Sequence, residues 1–130
     1  MAVLDTDLLV AYLRRIPDAR NWVENQEDEE PFYITPIQLL ELFKGAFQSE
    51  RQHENVVEIR KLISGLEILQ ITSQSAETFG KIFATLKDEG VLIGEFDMII
   101  ASVALANSQP VVTRNTDHFN KVQGLIVIRW

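Results

Sequence analysis

A few acidic and amide side chains stand at positions where the surrounding sequence is otherwise apolar. Asp5 directly follows three apolar residues, Glu41 is surrounded by leucine and phenylalanine, and Asp97 begins an apolar run. Asn115 and Asp117 follow another apolar segment near the end of the sequence. A carboxylate among apolar neighbours costs free energy unless it is paired, hydrogen-bonded or bound to a metal. Several carboxylates brought together repel one another, and a divalent cation neutralises such a cluster. These positions therefore predict a site for hard metal ions.

The two acids at the start of the chain also have a structural interpretation. Asp5 and Asp7 flank Thr6 where a helix is predicted to begin, and Asp is common at helix N-termini. Asp5 ends a buried strand, which favours a functional role, whereas capping or first-turn stabilisation is favoured for Asp7.

Glu41 and Asp97 have structural alternatives as well. Glu41 is three residues from Lys44, so the two side chains can form an exposed ion pair on a helix. Asp97 can stabilise the first turn of a helix. It heads an apolar stripe, however, and a stripe that packs on a sheet is not expected to begin with an unbound carboxylate.

The segment that follows the last core strand carries several further polar candidates. Asn115 and Asp117 are alternatives for a fourth ligand position, and Thr116 is an alternative helix cap. Arg114 lies beside the acids, where it can contact a phosphate or form a surface salt bridge. His118 is also close in sequence, but a single histidine without a base or nucleophile partner is interpreted as incidental.

The apolar periodicity alternates between strand and helix signals along the chain. Strands are predicted at residues 1–4, 32–34, 68–71, 110–113 and 125–128. Helices are predicted at residues 8–16, 18–25, 36–47, 56–63, 73–88, 95–108 and 117–122, with Thr35 as N-cap and Pro36 at the first helical position of the third. Such alternation predicts a parallel sheet covered on both faces. Since ligands of such sheets bind beyond the carboxyl ends of the strands, the acids are expected to converge on one edge.

Bulk properties limit the class of protein. A length of 130 residues predicts one domain spanning 1–130. The absence of cysteine excludes disulfides and thiolate zinc sites. No signal peptide or transmembrane segment is recognised, so a soluble cytoplasmic protein is expected. The net charge of −7 disfavours binding nucleic acid by charge alone, and the acidic run at residues 27–30 is interpreted as a solvated loop.

Taken together, these segments resemble a PIN domain, and most closely the VapC-type toxins of bacterial toxin–antitoxin pairs. The segments that carry the resemblance are VLDTDLL at 3–9, ITPIQLLEL at 34–42, IGEFDMIIA at 93–101 and VVTRNTDHF at 111–119, followed by Gly124-Leu125 and Trp130. They occur in the family's order and span the whole chain. The resemblance implies a three-layer α/β/α fold with a central, mostly parallel sheet.

The resemblance also implies a function, a cofactor and partners. It implies a Mg²⁺- or Mn²⁺-dependent ribonuclease whose acidic residues are Asp5, Glu41 and Asp97. The family's fourth acid falls on Asn115, so either this residue or Asp117 fills that position. Carboxylates suit these hard cations, which activate water for attack on phosphorus and are expected to leave 3′-hydroxyl and 5′-phosphate ends. An RNA substrate, contacted by residues such as Arg114 and Lys44, a cognate antitoxin and a homodimer are the expected partners.

Two other functions compete with this interpretation. Asp5-Thr6-Asp7 after a strand also resembles the opening of haloacid-dehalogenase-type phosphatases, although no adjacent acidic pair completes such a site. A PIN-like protein that has lost catalysis and only binds RNA or a protein partner is the non-enzymatic alternative. Asn115 is the residue that favours it.

Overall fold

The computed structural model describes residues 1–27 and 31–130, which form a central sheet with helices on both sides. The elements in chain order are β1 (Val3–Leu4), α1 (Thr6–Leu13), α2 (Pro17–Glu24), β2 (Tyr33–Ile34), α3 (Pro36–Phe47), α4 (Gln52–Ser64), β3 (Glu67–Ile68), α5 (Ser73–Asp88), α6 (Glu95–Ala106), β4 (Val111–Thr113), α7 (Thr116–Phe119) and β5 (Val127–Arg129). Three residues of the predicted acidic loop, 28–30, lie outside the described part. Among the helices of that part, none has the length and apolarity needed to cross a membrane.

The five strands form one sheet in the order β3-β2-β1-β4-β5, and every neighbouring pair is parallel. The first strand is central: Val3 is in register with Tyr33 on one side and with Val111 on the other. All five carboxyl ends therefore lie at the same edge of the sheet. The prediction of a three-layer α/β/α fold with a parallel sheet is confirmed.

Alternating side chains of the central strands pack into two apolar cores, one on each face. Val3 and Val111 point into a core formed with α3, α5, α6 and α7. Leu4 and Val112 point into the other core, which is formed with α1, α2, α3 and α4. These residues are at most 3% exposed, which explains the continuous apolar runs of the buried strands.

Side-chain hydrogen bonds fix the helix starts next to the sheet edge. As predicted, Thr35 is the N-cap of α3 and Pro36 lies in its first turn; Gln38 completes a capping box with Thr35. The buried Gln38 also donates its amide Nε2–H to the Leu4 carbonyl at 2.9 Å. This bond ties α3 to the end of β1.

Several element boundaries differ from the predicted ones. Ile16 was expected in the first helix, but α1 ends at Leu13 and Ile16 lies in the turn before Pro17. Arg15 has a φ of 60°, which breaks the helix, and a residue before proline is disfavoured in the helical region. The third strand ends at Ile68 rather than residue 71, and the fourth helix begins at Gln52 rather than at residue 56.

Candidate active site

The predicted site residues come from four different elements at the carboxyl edge of the sheet. Asp5 follows β1 and caps α1, Glu41 lies in the second turn of α3, and Asp97 lies in the first turn of α6. Asn115 precedes α7, just beyond the end of β4. The parallel sheet thus brings together residues that are far apart in the sequence.

Asp5 is the most buried of these acids, with 6% of its surface exposed. Its Oδ1 accepts the Thr6 backbone N–H at 2.8 Å, and its Oδ2 accepts the Thr113 hydroxyl at 2.7 Å. The pKa of the Asp5 carboxyl is raised from 3.8 to about 7, chiefly by burial; the charges of Asp7 and Asp97 also raise it, whereas the hydrogen bonds from Thr113 and Thr6 lower it. The carboxylate is therefore held in a position where its charge is unfavourable.

Glu41 and Asp5 both accept a hydrogen bond from Thr6. The Thr6 hydroxyl donates to Glu41 Oε1 at 2.9 Å, so residue 6 contacts both carboxylates. Burial raises the pKa of Glu41, and the charge of Asp97 raises it as well, whereas the Thr6 hydrogen bond and Lys44 lower it. Asp97 therefore acts electrostatically on both other acids.

Asp97 is held by the segment around α7. Its Oδ2 lies 3.0 Å from His118 Nδ1 and 3.4 Å from Asn115 Nδ2. The Asn115 amide nitrogen in turn lies 2.9 Å from His118 Nδ1. Of the two alternatives for the fourth position, Asn115 is the one in contact with Asp97.

These acids do not form a ready-made metal cage. Within residues 1–27 and 31–130, no three Asp, Glu, His or Cys side chains are grouped so that they could hold a metal ion by themselves. Mg²⁺ is commonly held by one or two carboxylates while it keeps several waters, so it does not require such a group. Metal binding by Asp5, Glu41 and Asp97 stays a prediction.

Arg114 is engaged in structural contacts. Its guanidinium stacks 3.8 Å from the centre of the Trp130 ring and pairs with Asp18 at 2.9 Å. Asp7 joins the same network, because it accepts the Arg114 backbone N–H at 2.8 Å and the Trp130 indole N–H at 3.1 Å. Of the two roles predicted for Arg114, the structure shows the salt bridge.

Lys44 and Asp117 differ in their relation to the cluster. Lys44 lines a groove of about 620 Å³ together with Thr6, Glu41 and Phe96, and its charge lowers the pKa of Glu41. Asp117 is exposed, and none of the hydrogen bonds found in the described part of the chain links its carboxylate to the cluster.

Sequence reasoning missed three side chains of this site. Thr6 and Thr113 orient the carboxylates, and His118, which was interpreted as incidental, contacts Asp97. A signal existed for His118, because it lies three residues after Asn115 and such residues share one side of a helical turn.

The site geometry agrees with a match between this chain and a known protein family. A family model described as PIN domain matches residues 2–125. The chain belongs to the PIN domain family. Membership of this family excludes the alternative that Asp5-Thr6-Asp7 begins a haloacid-dehalogenase-type phosphatase.

Curated relatives within the PIN family match this chain over nearly its full length. Ribonuclease VapC2 of Rickettsia felis is 30% identical over 129 residues, covering 98% of this chain and 96% of the relative. Ribonuclease VapC2 of Haemophilus influenzae is 32% identical over 128 residues, with the same two coverages. The tRNA(fMet)-specific endonuclease VapC of Shigella flexneri is 29% identical over 128 residues, again with coverages of 98% and 96%.

Solved structures of PIN-family complexes share the fold closely. VapBC2 from Rickettsia felis bound to a promoter DNA fragment gives a TM-score of 0.92 at 27% identity, covering 99% of this chain and 98% of that one. DNA-bound VapBC from Salmonella typhimurium gives a TM-score of 0.88 at 29% identity, covering 100% and 99%. The chain is thus similar to VapC ribonucleases and to the toxin–antitoxin structures that contain them.

Proposed function

We propose that this chain is a cytoplasmic, divalent-metal-dependent endoribonuclease and the toxin of a toxin–antitoxin pair, formed by a single PIN domain. The observation that carries the proposal is the buried Asp5 carboxylate, with Asp97 close enough to raise the pKa of both Asp5 and Glu41. The names of the matched relatives, ribonuclease and endonuclease, support the same activity.

The donor set fits a hard divalent cation. In the described part of the chain, no Lys or Arg forms an ion pair with Asp5, Glu41 or Asp97. The pKa values of Asp5 and Glu41 are raised chiefly by burial and also by the charge of Asp97, so a bound cation would offset unfavourable negative charge here. Carboxylate oxygens are suitable ligands for Mg²⁺ or Mn²⁺. When bound, such a cation makes water more acidic and neutralises charge on the leaving oxygen.

The residues of the chain then have distinct tasks. Asp5, Glu41 and Asp97 supply the oxygens that would hold the cation. Thr113 and the Thr6 backbone fix the Asp5 carboxylate, and the Thr6 hydroxyl fixes Glu41. Because the orienting groups are themselves anchored to the sheet and to α1, the oxygens are preorganised before RNA arrives.

A groove between α1, α2 and α4 supports the proposal that the chain binds an antitoxin. It has a volume of about 400 Å³ and apolar walls from α1, α2 and α4. The Arg20 guanidinium stacks 4.6 Å from the Tyr12 ring there, and its buried Nε lacks a hydrogen-bond partner among the described residues. A buried unpaired donor is costly, and an acceptor from a partner chain would remove that cost. The VapBC structures contain such a partner for the proteins they describe.

An exposed apolar surface on α3 and α6 supports a homodimer. Leu40, Phe47 and Phe96 are 59%, 60% and 50% exposed, and Leu40 and Phe47 are seven residues apart on one side of α3. Large exposed apolar side chains that share a surface mark interaction sites. Light scattering should give the mass of a dimer for the parent chain and a lower mass for Phe47→Lys.

The experiment that tests the activity compares two carboxylates of the same helix turn. Asp97→Asn should abolish cleavage of single-stranded RNA in Mg²⁺ or Mn²⁺, because it removes a ligand charge and keeps the side-chain size. Glu95→Gln, which changes an exposed acid two residues earlier, is the matched control and should cleave like the parent. Cleavage that persists in EDTA, or in Asp97→Asn, would contradict the proposal.

A second candidate is a chain that binds RNA or its partner without cutting. The amide of Asn115 at the position of the family's fourth acid favours this possibility, because it removes one ligand charge. Absence of cleavage of any RNA by the parent, together with retained RNA binding, would select it.

A further inference from the structure

We propose that Asp97, Asn115 and His118 form a second cation site, in which the His118 imidazole replaces the missing carboxylate and shifts the metal preference away from Mg²⁺. This inference rests on the proposed function, because Asp97 also belongs to the metal site described above. It concerns His118, whose imidazole nitrogen has no counterpart in a site made only of carboxylates.

The three donor groups lie at the mutual distances expected around one ion. The Asp97 Oδ2 to His118 Nδ1 distance is 3.0 Å, the His118 Nδ1 to Asn115 amide distance is 2.9 Å, and the Asn115 to Asp97 distance is 3.4 Å. Neighbouring ligands of an octahedral ion, each about 2.1 Å from it, lie about 3.0 Å apart. The triangle therefore fits one face of an octahedron.

With the Asn115 amide nitrogen turned toward His118, hydrogen bonding does not satisfy this triangle. If His118 Nδ1 carries a proton, it donates to Asp97 but meets the Asn115 N–H at 2.9 Å. If Nδ1 is unprotonated, it accepts from Asn115 but faces the Asp97 carboxylate oxygen lone pairs at 3.0 Å. Turning the amide by 180° presents its oxygen without a change of shape. In that orientation a cation can receive one lone pair from each of the three groups, and in its absence a proton on His118 Nδ1 is accepted by the Asp97 and Asn115 oxygens.

The site is reachable and its backbone is held in place. The side chains of His118 and Asp97 are 44% and 24% exposed, so an ion can enter from solvent. The Asn115 backbone N–H donates to the Thr113 hydroxyl at 2.9 Å, which fixes the start of the segment that carries both Asn115 and His118. The donors therefore sit on a supported turn, next to Asp5 and its own hydrogen bond to Thr113.

The identity of the donors determines which ion the site prefers. An imidazole nitrogen and a neutral amide oxygen replace charge that a second carboxylate would supply. Mg²⁺ is bound chiefly through charged oxygen ligands, whereas imidazole suits first-row transition metals. The site should therefore bind Mn²⁺ more tightly than Mg²⁺. Asn115→Asp should raise the affinity for Mg²⁺ and so reduce the difference between the two affinities.

The chain contains only two histidines, His53 and His118, which makes the test unambiguous. Pulsed electron paramagnetic resonance of the full chain with two equivalents of Mn²⁺ should show nitrogen coupling from one directly bound imidazole. The coupling should vanish in His118→Gln and persist in His53→Gln, which changes an exposed residue of α4. Asp117→Asn, next to His118 but exposed, should leave the spectrum unchanged.

Affinity measurements separate a ligand from a positioning residue. Glutamine at position 118 keeps a hydrogen-bond donor for Asp97, so a purely positioning role predicts unchanged Mn²⁺ binding. If His118 is a ligand, His118→Gln should lower the affinity of the second site for Mn²⁺ by about tenfold or more and should lower its affinity for Mg²⁺ by less. Mn²⁺ bound without nitrogen coupling, in a chain that still cleaves RNA, overturns this inference alone. A chain that binds no Mn²⁺ and cleaves no RNA overturns the proposed function with it.

Discussion

The buried carboxylate of Asp5 should lower the stability of the fold, and Asp5→Asn should reveal by how much. The folded protein raises its pKa from 3.8 to about 7, chiefly through burial. Below pH 3.8 the carboxyl is protonated in both the folded and the unfolded chain, so it has no effect on the pH dependence of stability. As the pH rises from 3.8 to 7, the unfolded chain releases the proton first, and the free energy of unfolding falls.

The size of the effect follows from the pKa difference. At about 1.4 kcal/mol per pKa unit, the loss reaches about 4 kcal/mol above pH 7 and stays below about 1 kcal/mol at pH 4. The asparagine variant escapes this loss because its amide is neutral. The amide oxygen can still accept the Thr6 N–H, and the amide nitrogen can donate to Thr113, whose hydroxyl then donates to Asp7 at 3.2 Å.

Urea unfolding in EDTA, followed by tryptophan fluorescence, measures this difference. At pH 8, Asp5→Asn should be more stable than the parent by up to about 4 kcal/mol, and at pH 4 the two should nearly coincide. Glu77→Gln, which removes an exposed acid paired with Lys81, is the control and should show no such divergence. Mg²⁺ should then stabilise the parent at pH 8 but not Asp5→Asn, and the variant should have lost RNA cleavage.

The reasoning is refuted if Asp5→Asn is less stable than the parent at pH 8, or if the gap between them stays constant from pH 4 to pH 8. Either result would mean that the site accommodates the charge without a cation. Greater stability combined with lost activity would instead identify Asp5 as a residue retained for function at a cost to folding.

Two further predictions concern the support of the site and its RNA contacts. Gln38→Leu should lower the free energy of unfolding by about 1–3 kcal/mol in urea titrations, because it leaves the buried Leu4 carbonyl without its side-chain donor; an unchanged midpoint would contradict this. Lys44→Ala should raise KM for RNA with little change in kcat, because its charge faces the groove beside the acids, whereas Arg114→Ala should lower the melting temperature with a smaller change in KM. The opposite pattern would show that Arg114 leaves its partners to bind phosphate.

The sheet and its functional edge could be predicted from local patterns. The apolar runs that end in Asp5 and Thr113 are read directly from the sequence, and parallel strands must place their ends at one edge. The start of α3 was equally predictable, because the N-cap Thr35 and Pro36 are neighbours in the chain. Such features depend on backbone propensity and burial, which the sequence expresses within a few residues.

The roles of individual polar side chains could not be predicted in this way. Arg114 pairs with Asp18, 96 residues away, and Thr113 contacts Asp5 across 108 residues. The partner of a charged or hydroxyl group depends on distances of a few tenths of an ångström in the folded chain. Residue spacing in the sequence does not determine these distances. The same applies to His118, whose significance comes from the Asp97 oxygen that α6 places next to it.

The central position of β1 has a consequence for the time at which the enzyme can become active. The strand β1 leaves the ribosome long before β4, which flanks it in the sheet, because synthesis proceeds at about 5–20 residues per second. The Asp5 carboxylate is therefore without its Thr113 partner, and Asp97 without Asn115 and His118, until the far end of the chain has been made. The strand order therefore delays completion of the candidate active site until residues 111–118 have been synthesised.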